Sequence, residues 1–257
     1  MTGTGLLAAT ASAAHPLTAE PPGGGDVGYR DHFYRDGGGA CAIMSVAHFP
    51  DEVLAFLQME CLAAFRAAVA ERCDAVVELG CFDGRALEVA RAAGIPYCGV
   101  DINSSAVAAL RERIAAEGLQ AQATTLVGDA QDCVRWSTQV PGQRPLIVLP
   151  FNLLGNLPDP RSALLGLRAL GGTLLISVFN EQPRTTAVRR AYYARCMTGL
   201  TEPAQGRYGG AVFRGAQGFR SESFSASALH RLLRECGLAI RSETANRLGR
   251  SLTVRRA

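Results

Sequence analysis

Residues 75–101 read AVVELGCFDGRALEVARAAGIPYCGVD, and this stretch decides the fold. Ala75 to Leu79 is a short apolar run rich in β-branched residues, Gly80 to Gly84 is a glycine-bounded turn, and Arg85 to Ala93 has the composition of a helix. Tyr97 to Val100 is a second buried strand ending on Asp101. Strand, turn, helix and strand in this order, with an acid closing the second strand, form the nucleoside-binding half of a doubly wound sheet. Backbone N–H groups approach a ligand at the turn, and the carboxylate takes ribose hydroxyls.

The glycine spacing narrows the ligand. A dinucleotide fingerprint, G-x-G-x-x-G, uses its second glycine to let the main chain reach a pyrophosphate. Here Glu78-Leu79-Gly80-Cys81-Phe82-Asp83-Gly84 lacks that glycine and places an acid inside the strand end, which suits a ligand carrying an ammonium and a sulfonium. The E-x-G-x-x-x-G arrangement resembles the first motif of the class I S-adenosylmethionine-dependent methyltransferases, and the resemblance runs from roughly Tyr29 to the C-terminus. It implies S-adenosyl-L-methionine as cofactor, with Glu78, Gly80, Cys81 and Gly84 at its methionine part and Asp101 with Ile102 at the ribose. It also implies a fold: an α/β, Rossmann-like, doubly wound sheet of seven strands, mostly parallel with an antiparallel last strand.

Composition excludes several alternatives. At 257 residues, 48% hydrophobic and 19% charged, the chain can fold as one large domain with additions. A net charge of +3, from scattered basic residues, argues against a nucleic-acid partner. All 26 basic residues are arginine; without lysine there is neither a Walker-type phosphate loop nor Schiff-base chemistry. The eight cysteines are dispersed with no C-x-x-C pair, and the four histidines lack ligand spacing. The expectation is therefore free thiols in a reducing cytoplasm and no metal. No run of about eighteen continuous apolar residues suggests a membrane span.

Residues 1–28, ending in Pro21-Pro22-Gly23-Gly24-Gly25, read as a disordered leader, and residues 29–257 as the methyltransferase-like domain. Within it, residues 29–48 combine aromatics and charges with a Gly37-Gly38-Gly39 break. In the resembled family such a segment is a lid over the acceptor pocket, carrying Tyr29 and Tyr34 as substrate contacts. Tyr29, Phe33 and Tyr34 could equally be the apolar face of a short packing helix. A helix from Pro50 to about Glu71 presents Leu54, Leu57, Cys61, Phe65 and Val69 on one face.

Asn103 caps a helix through Leu119 with Val107, Leu110 and Ile114 inside. Thr124 to Val127 is a strand delivering Gly128-Asp129-Ala130, similar to the family's adenine motif, so Asp129 and Ala130 are assigned to the adenine. Pro145 to Leu149, a continuous apolar strand, opens into Pro150-Phe151-Asn152-Leu153-Leu154-Gly155-Asn156. By position this loop faces the sulfonium and the acceptor. Pro150 joins the cofactor set, Phe151 the substrate set, and Asn152 and Asn156 offer amide oxygens to an amine or hydroxyl, or else satisfy turn backbone.

Asp159-Pro160 starts a helix, Thr173 to Val178 a fifth strand, and Arg184 to Met197 a helix carrying Tyr192 and Tyr193, one of which could reach over the site while the other joins the core. Residues 207–224 read as a hairpin insertion bringing Arg214 and Arg220, either toward an acidic substrate or into solvent. A helix capped by Ser225 and two strands, Leu238 to Thr244 and Ser251 to Arg255, close the chain.

The resemblance implies in-line methyl transfer to a small molecule, which places no demand on metal or covalent chemistry. His32 is the best placed histidine for a base. The same fold could instead cyclise the methionine part of S-adenosylmethionine, releasing methylthioadenosine, or bind the cofactor without catalysis. Neither the acceptor nor the oligomeric state is legible in the chain.

Overall fold

The computed structural model describes residues 32–35 and 38–257. The expected leader and Tyr29 lie outside the described residues. The elements follow in order: α1 (Ala40–Met44), α2 (Asp51–Ala70), β1 (Ala75–Leu79), α3 (Arg85–Ala93), β2 (Tyr97–Asp101), α4 (Ser104–Ala116), β3 (Ala123–Val127), α5 (Cys133–Trp136), β4 (Pro145–Leu149), α6 (Leu153–Asn156), α7 (Pro160–Leu170), β5 (Thr173–Phe179), α8 (Pro183–Cys196), β6 (Ala204–Gln205), β7 (Gly209–Arg214), β8 (Arg220–Phe224), α9 (Ala226–Glu235), β9 (Leu238–Ala245) and β10 (Gly249–Arg256).

Seven strands form one sheet in the order β3-β2-β1-β4-β5-β10-β9. The first five run parallel, and β10 lies antiparallel between β5 and β9, as the sequence reading expects of the last strand. β1 and β4 are buried along their whole length, which is why they read as continuous apolar runs rather than alternating ones. Chain order reverses at β1, which pairs with β2 on one side (Val77 opposite Cys98) and β4 on the other (Val77 opposite Ile147). The crevice of a doubly wound sheet opens at such a reversal, beyond the carboxyl ends of the strands.

One face of the sheet is covered by α5, α7 and α9 through Trp136, Leu164, Leu167, Leu229 and Leu233. The other is covered by α2, α3 and α4 through Ala64, Leu87, Leu110 and Ile114. A third, largely aromatic cluster contains Phe33, Phe49, Phe151, Phe179, Tyr192, Tyr193, Phe213 and Phe219. The caps match the sequence: Asn103, Asp159 and Ser225 side chains accept from Ala106, Ser162 and Ala228 N–H groups.

Two expectations need correction. The buried side of α2 is Val53, Phe56, Leu57, Glu60, Ala64, Ala67 and Ala68, whereas Leu54 and Val69 are exposed. Small alanines let the helix approach closely; Leu57 of the expected stripe is buried with them and Cys61 and Phe65 are half-buried, while Leu54 and Val69 stay outside. By length and composition α2 is also apolar enough to cross a membrane, yet it packs along α3 and the sheet. Of the glycine break, Gly39 is closely packed: a Cβ there would lie 2.3 Å from the Phe33 ring. Residues 207–224 do form a hairpin, but β6 joins β7 and β8 in a separate three-stranded sheet.

Candidate functional site

Four parallel strands, β1 to β4, end at a single cavity. Each strand end contributes. From β1 come Glu78, Gly80 and Cys81; from β2, Asp101 and Ile102; from beyond β3, Asp129 and Ala130; from beyond β4, Pro150 and Phe151. The cavity has two chemically distinct sides. Carboxylates of Glu78, Asp101 and Asp129 stand at the strand tips, while Tyr34, Ile43, Phe179, Tyr193 and Phe219 supply an apolar and aromatic wall.

The strand-tip acids are held in place by the backbone. Asp101 accepts from Phe82 N–H and Asn103 N–H, both at 2.9 Å, which ties the first turn to the second strand. Phe82 adopts a left-handed φ of 40°, an uncommon conformation for a bulky residue and one that concentrates at functional turns. Asp129 accepts from Gln131 N–H at 2.8 Å, and its carbonyl receives the Trp136 indole N–H at 2.8 Å. Glu78 is 2% exposed and accepts from Tyr97 Oη at 2.7 Å and Ala86 N–H at 3.1 Å. Burial pushes its pKa up to about 8, although both hydrogen bonds and the Arg85 charge pull the other way. A buried acid with a strongly raised pKa at a cavity marks a candidate functional position.

Asn156 lines the cavity, and its Oδ1 is buried without a hydrogen-bond partner in the protein. Such an orphan acceptor is rare and calls for a donor from elsewhere. Tyr34 and Tyr193 also line the cavity; Tyr34 Oη donates to Arg220 O at 2.8 Å, and Tyr193 Oη hydrogen-bonds Ser221 Oγ at 2.9 Å. Burial pushes the Tyr34 phenol well above its ordinary range, so it is a neutral group here. Cys81, also pushed well up by burial, is an unreactive thiol.

Several residues singled out from the sequence are elsewhere. Asn152 is fully buried outside the cavity lining: its amide donates to Ser221 Oγ and Glu222 O and accepts from Phe179 N–H at 3.0 Å. With φ at 64° it pins the loop after β4 to β5 and β8, so its role is positional rather than catalytic. Gly84 does not line the cavity; it caps α3 at φ 76°, where a Cβ would lie 2.6 Å from Leu110. Tyr192 donates to Ile43 O inside the aromatic core, and Arg214 is exposed. His32 is exposed and absent from the lining, so it is no base for this cavity. Arg220 neither faces solvent nor lines the cavity: it donates to Gly155 O and Leu157 O and pairs with Glu222, clamping the hairpin to α6.

The sequence reading passes over Phe82, Asp83, Arg85, Asn103, Gln131 and Phe219, all of which line the cavity. For Arg85 a signal existed. A cation in the first position of a helix works against the helix dipole, and such a broken local rule singles out a position to inspect for function.

Known proteins are consistent with this geometry. A family model described as a methyltransferase domain matches residues 51–243. No curated protein matches the chain. Among solved structures, the CcbJ methyltransferase from Streptomyces caelestis is 18% identical, over 77% of this chain and 89% of its own, with a TM-score of 0.56. The 1,6-didemethyltoxoflavin-N1-methyltransferase of Burkholderia thailandensis, with 1,6-didemethyltoxoflavin and S-adenosylhomocysteine bound, is 15% identical over 79% of both chains, with a TM-score of 0.55. The [4+2]-cyclase SpnF is 14% identical over 76% of this chain and 80% of its own, with a TM-score of 0.52. At these identities the likeness is one of fold.

Proposed function

Since the chain belongs to the methyltransferase-domain family, we propose that it transfers the methyl group of S-adenosylmethionine to a small molecule held in the cavity beyond β1 to β4. The observation that carries this reading is the two-sided cavity: carboxylates at the strand tips, and an aromatic wall shared by the N-terminal segment, α8 and the turn before β8. One side suits a cationic nucleoside, and the other a small organic acceptor.

The donor set fits the cofactor. Glu78 would take its ammonium, Asp101 its ribose hydroxyls, and Asp129 with Ala130 its adenine. When bound, S-adenosylmethionine supplies an electrophilic methyl on a positively charged sulfur with a good leaving group. The protein has then to align and desolvate, an effect worth roughly 7–11 kcal/mol in well-oriented systems. Phe151, Phe179, Tyr193 and Phe219 exclude water, and Asn156 Oδ1 can receive an N–H or O–H from a bound molecule.

The neutral state of Tyr34, and the exposure of His32, leave the aromatic side without a ready base. An amine or an already acidic group therefore suits this side as acceptor. We read a role in specialised metabolism from the N-terminal segment and the hairpin added to the main sheet, and a reducing compartment from eight free cysteines.

Incubation with S-adenosylmethionine, first alone and then with a panel of small amines, phenols and carboxylic acids, tests the reading. S-adenosylhomocysteine should form only when an acceptor is present. Methylthioadenosine released without any acceptor would point instead to cyclisation of the methionine part, and no binding of S-adenosylmethionine would overturn the assignment.

A further inference from the structure

We infer that Arg85 is the carboxylate receptor of this cavity, taking the carboxylate either of the cofactor's methionine end or of the acceptor molecule. The inference rests on the cavity being the ligand site proposed above and names a chemical class that the ligand must carry there.

Arg85 is the only basic side chain lining the cavity among the described residues, against four acids, Glu78, Asp83, Asp101 and Asp129. Its side chain is 16% exposed, and its Nη2 is sealed from solvent with no hydrogen-bond partner. The guanidinium rests against a pair of rings that pack on each other, 5.3 Å from the Phe49 centroid and 5.5 Å from that of Phe151, with the two centroids 5.7 Å apart. The rings offer it cation–π contact and leave the buried Nη2 to be satisfied. Asp83 lies on the Nε side, with Oδ1 3.5 Å from Nε, is itself 44% exposed, and leaves Nη2 unsatisfied.

Three local costs therefore meet in one residue: a cation at a helix N-terminus, an N–H buried without an acceptor, and a positive charge in a cavity suited to a cationic nucleoside. A carboxylate on the ligand relieves all three, since its two oxygens match the fork of a guanidinium. The position beside Phe49 and Phe151 lies on the aromatic side, beyond β4, with β1 and β2 between it and the Asp129 end beyond β3. The matching carboxylate thus belongs to the methionine tail or to an acceptor packed on the rings, and not to the adenosine.

Calorimetric titration of wild type, Arg85→Gln and Arg85→Lys with three probes separates the sources. Methylthioadenosine has the nucleoside and sulfur but no carboxylate. S-adenosylhomocysteine has both, and benzoate is an aromatic carboxylate without the nucleoside, titrated into free and S-adenosylhomocysteine-loaded protein. The expected result is at least a tenfold loss of affinity in Arg85→Gln for S-adenosylhomocysteine or for benzoate, with methylthioadenosine changed less than twofold. Loss for S-adenosylhomocysteine assigns the methionine tail, and loss for benzoate assigns the acceptor.

Arg85→Lys keeps the charge and loses the fork, so it should recover only part of the affinity. The inference is overturned if both carboxylate probes bind Arg85→Gln as they bind wild type, if neither binds the wild type, or if all three weaken equally. Failure of wild type to bind either nucleoside would instead overturn the cofactor assignment, and the benzoate arm on the free protein would still decide the role of Arg85.

Discussion

At the scale of single residues, Glu78 joins fold to ligand through its proton. Burial holds its pKa at about 8, and the unfolded chain releases the same proton near the ordinary ~4.3. The stability contributed by the protonated form is therefore complete below the unfolded value and is lost as pH rises through about 8 in the ligand-free protein. A cationic ligand needs the carboxylate, so its affinity should move the opposite way, weakening by up to about tenfold per unit as pH falls below that value. Calorimetry with S-adenosylmethionine across this range should show the slope in wild type and lose it in Glu78→Gln; a flat wild-type profile would remove Glu78 from the binding set. The two loop asparagines give a sharper contrast. Asn152→Ala breaks three buried hydrogen bonds and should cost about 3 kcal/mol, read as a lower Tm. Asn156→Ala removes an acceptor the protein does not use, so it should leave Tm nearly unchanged and weaken ligand binding about tenfold. The sequence offered both asparagines in the same loop with the same chemistry. What separates them is φ at residue 152 and the approach of β8, from 69 to 70 residues downstream, neither of which local sequence carries.

Among the elements, the parallel strands were legible because a strand buried on both faces is mostly apolar, and β1, β4 and β5 are buried along their whole length. The helix face of α2 was not. Its sequence is apolar nearly all round, so period alone could not choose between the larger residues and the alanines. The choice was made by close packing on α3 and by Glu60, whose buried carboxylate receives the Phe151 N–H at 2.8 Å. The hairpin was visible as an insertion but not as part of the site's frame, because its attachment is long-range. Arg189, fully buried, donates from α8 to Ala211 O and Ser221 O, and Arg220 donates from β8 to Gly155 O and Leu157 O. Arginines in a glycine-rich hairpin read as solvated charges until these carbonyls are seen. Arg220→Ala should thus cost about 3 kcal/mol, since it strands Glu222, 1% exposed, without its cation. Pairing it with Glu222→Gln should restore part of that loss in thermal denaturation. No recovery would mean that the clamp acts through the α6 carbonyls alone.

For the whole molecule, the cavity is assembled from residues far apart in the chain: Tyr34 and Ile43 before the sheet, the tips of four strands, Tyr193 on α8 and Phe219 before β8. Nothing covalent joins these parts, as all eight cysteines are free and five of them are buried. A ligand filling the cavity is then the one agent that touches all of them, and its binding energy adds directly to the stability of the folded state. At about a hundred times its dissociation constant, S-adenosylhomocysteine should stabilise the protein by roughly 2.7 kcal/mol. For a chain of this size that corresponds to a rise in Tm of about 5–10 °C. Methylthioadenosine at the same multiple of its own dissociation constant should give an equal rise, because mass action counts saturation and not contacts. Dithiothreitol should leave Tm unchanged with or without ligand, while a drop on reduction would reveal a disulfide that the folded chain does not contain. Hydrogen exchange separates the two nucleosides where Tm cannot: S-adenosylhomocysteine should protect the backbone around Arg85 and Phe151, where the guanidinium meets the ring, and methylthioadenosine should protect mainly the strand tips around Asp101 and Asp129. Equal protection of both regions by both nucleosides would show that the cavity closes as one unit and that its two sides are not independent.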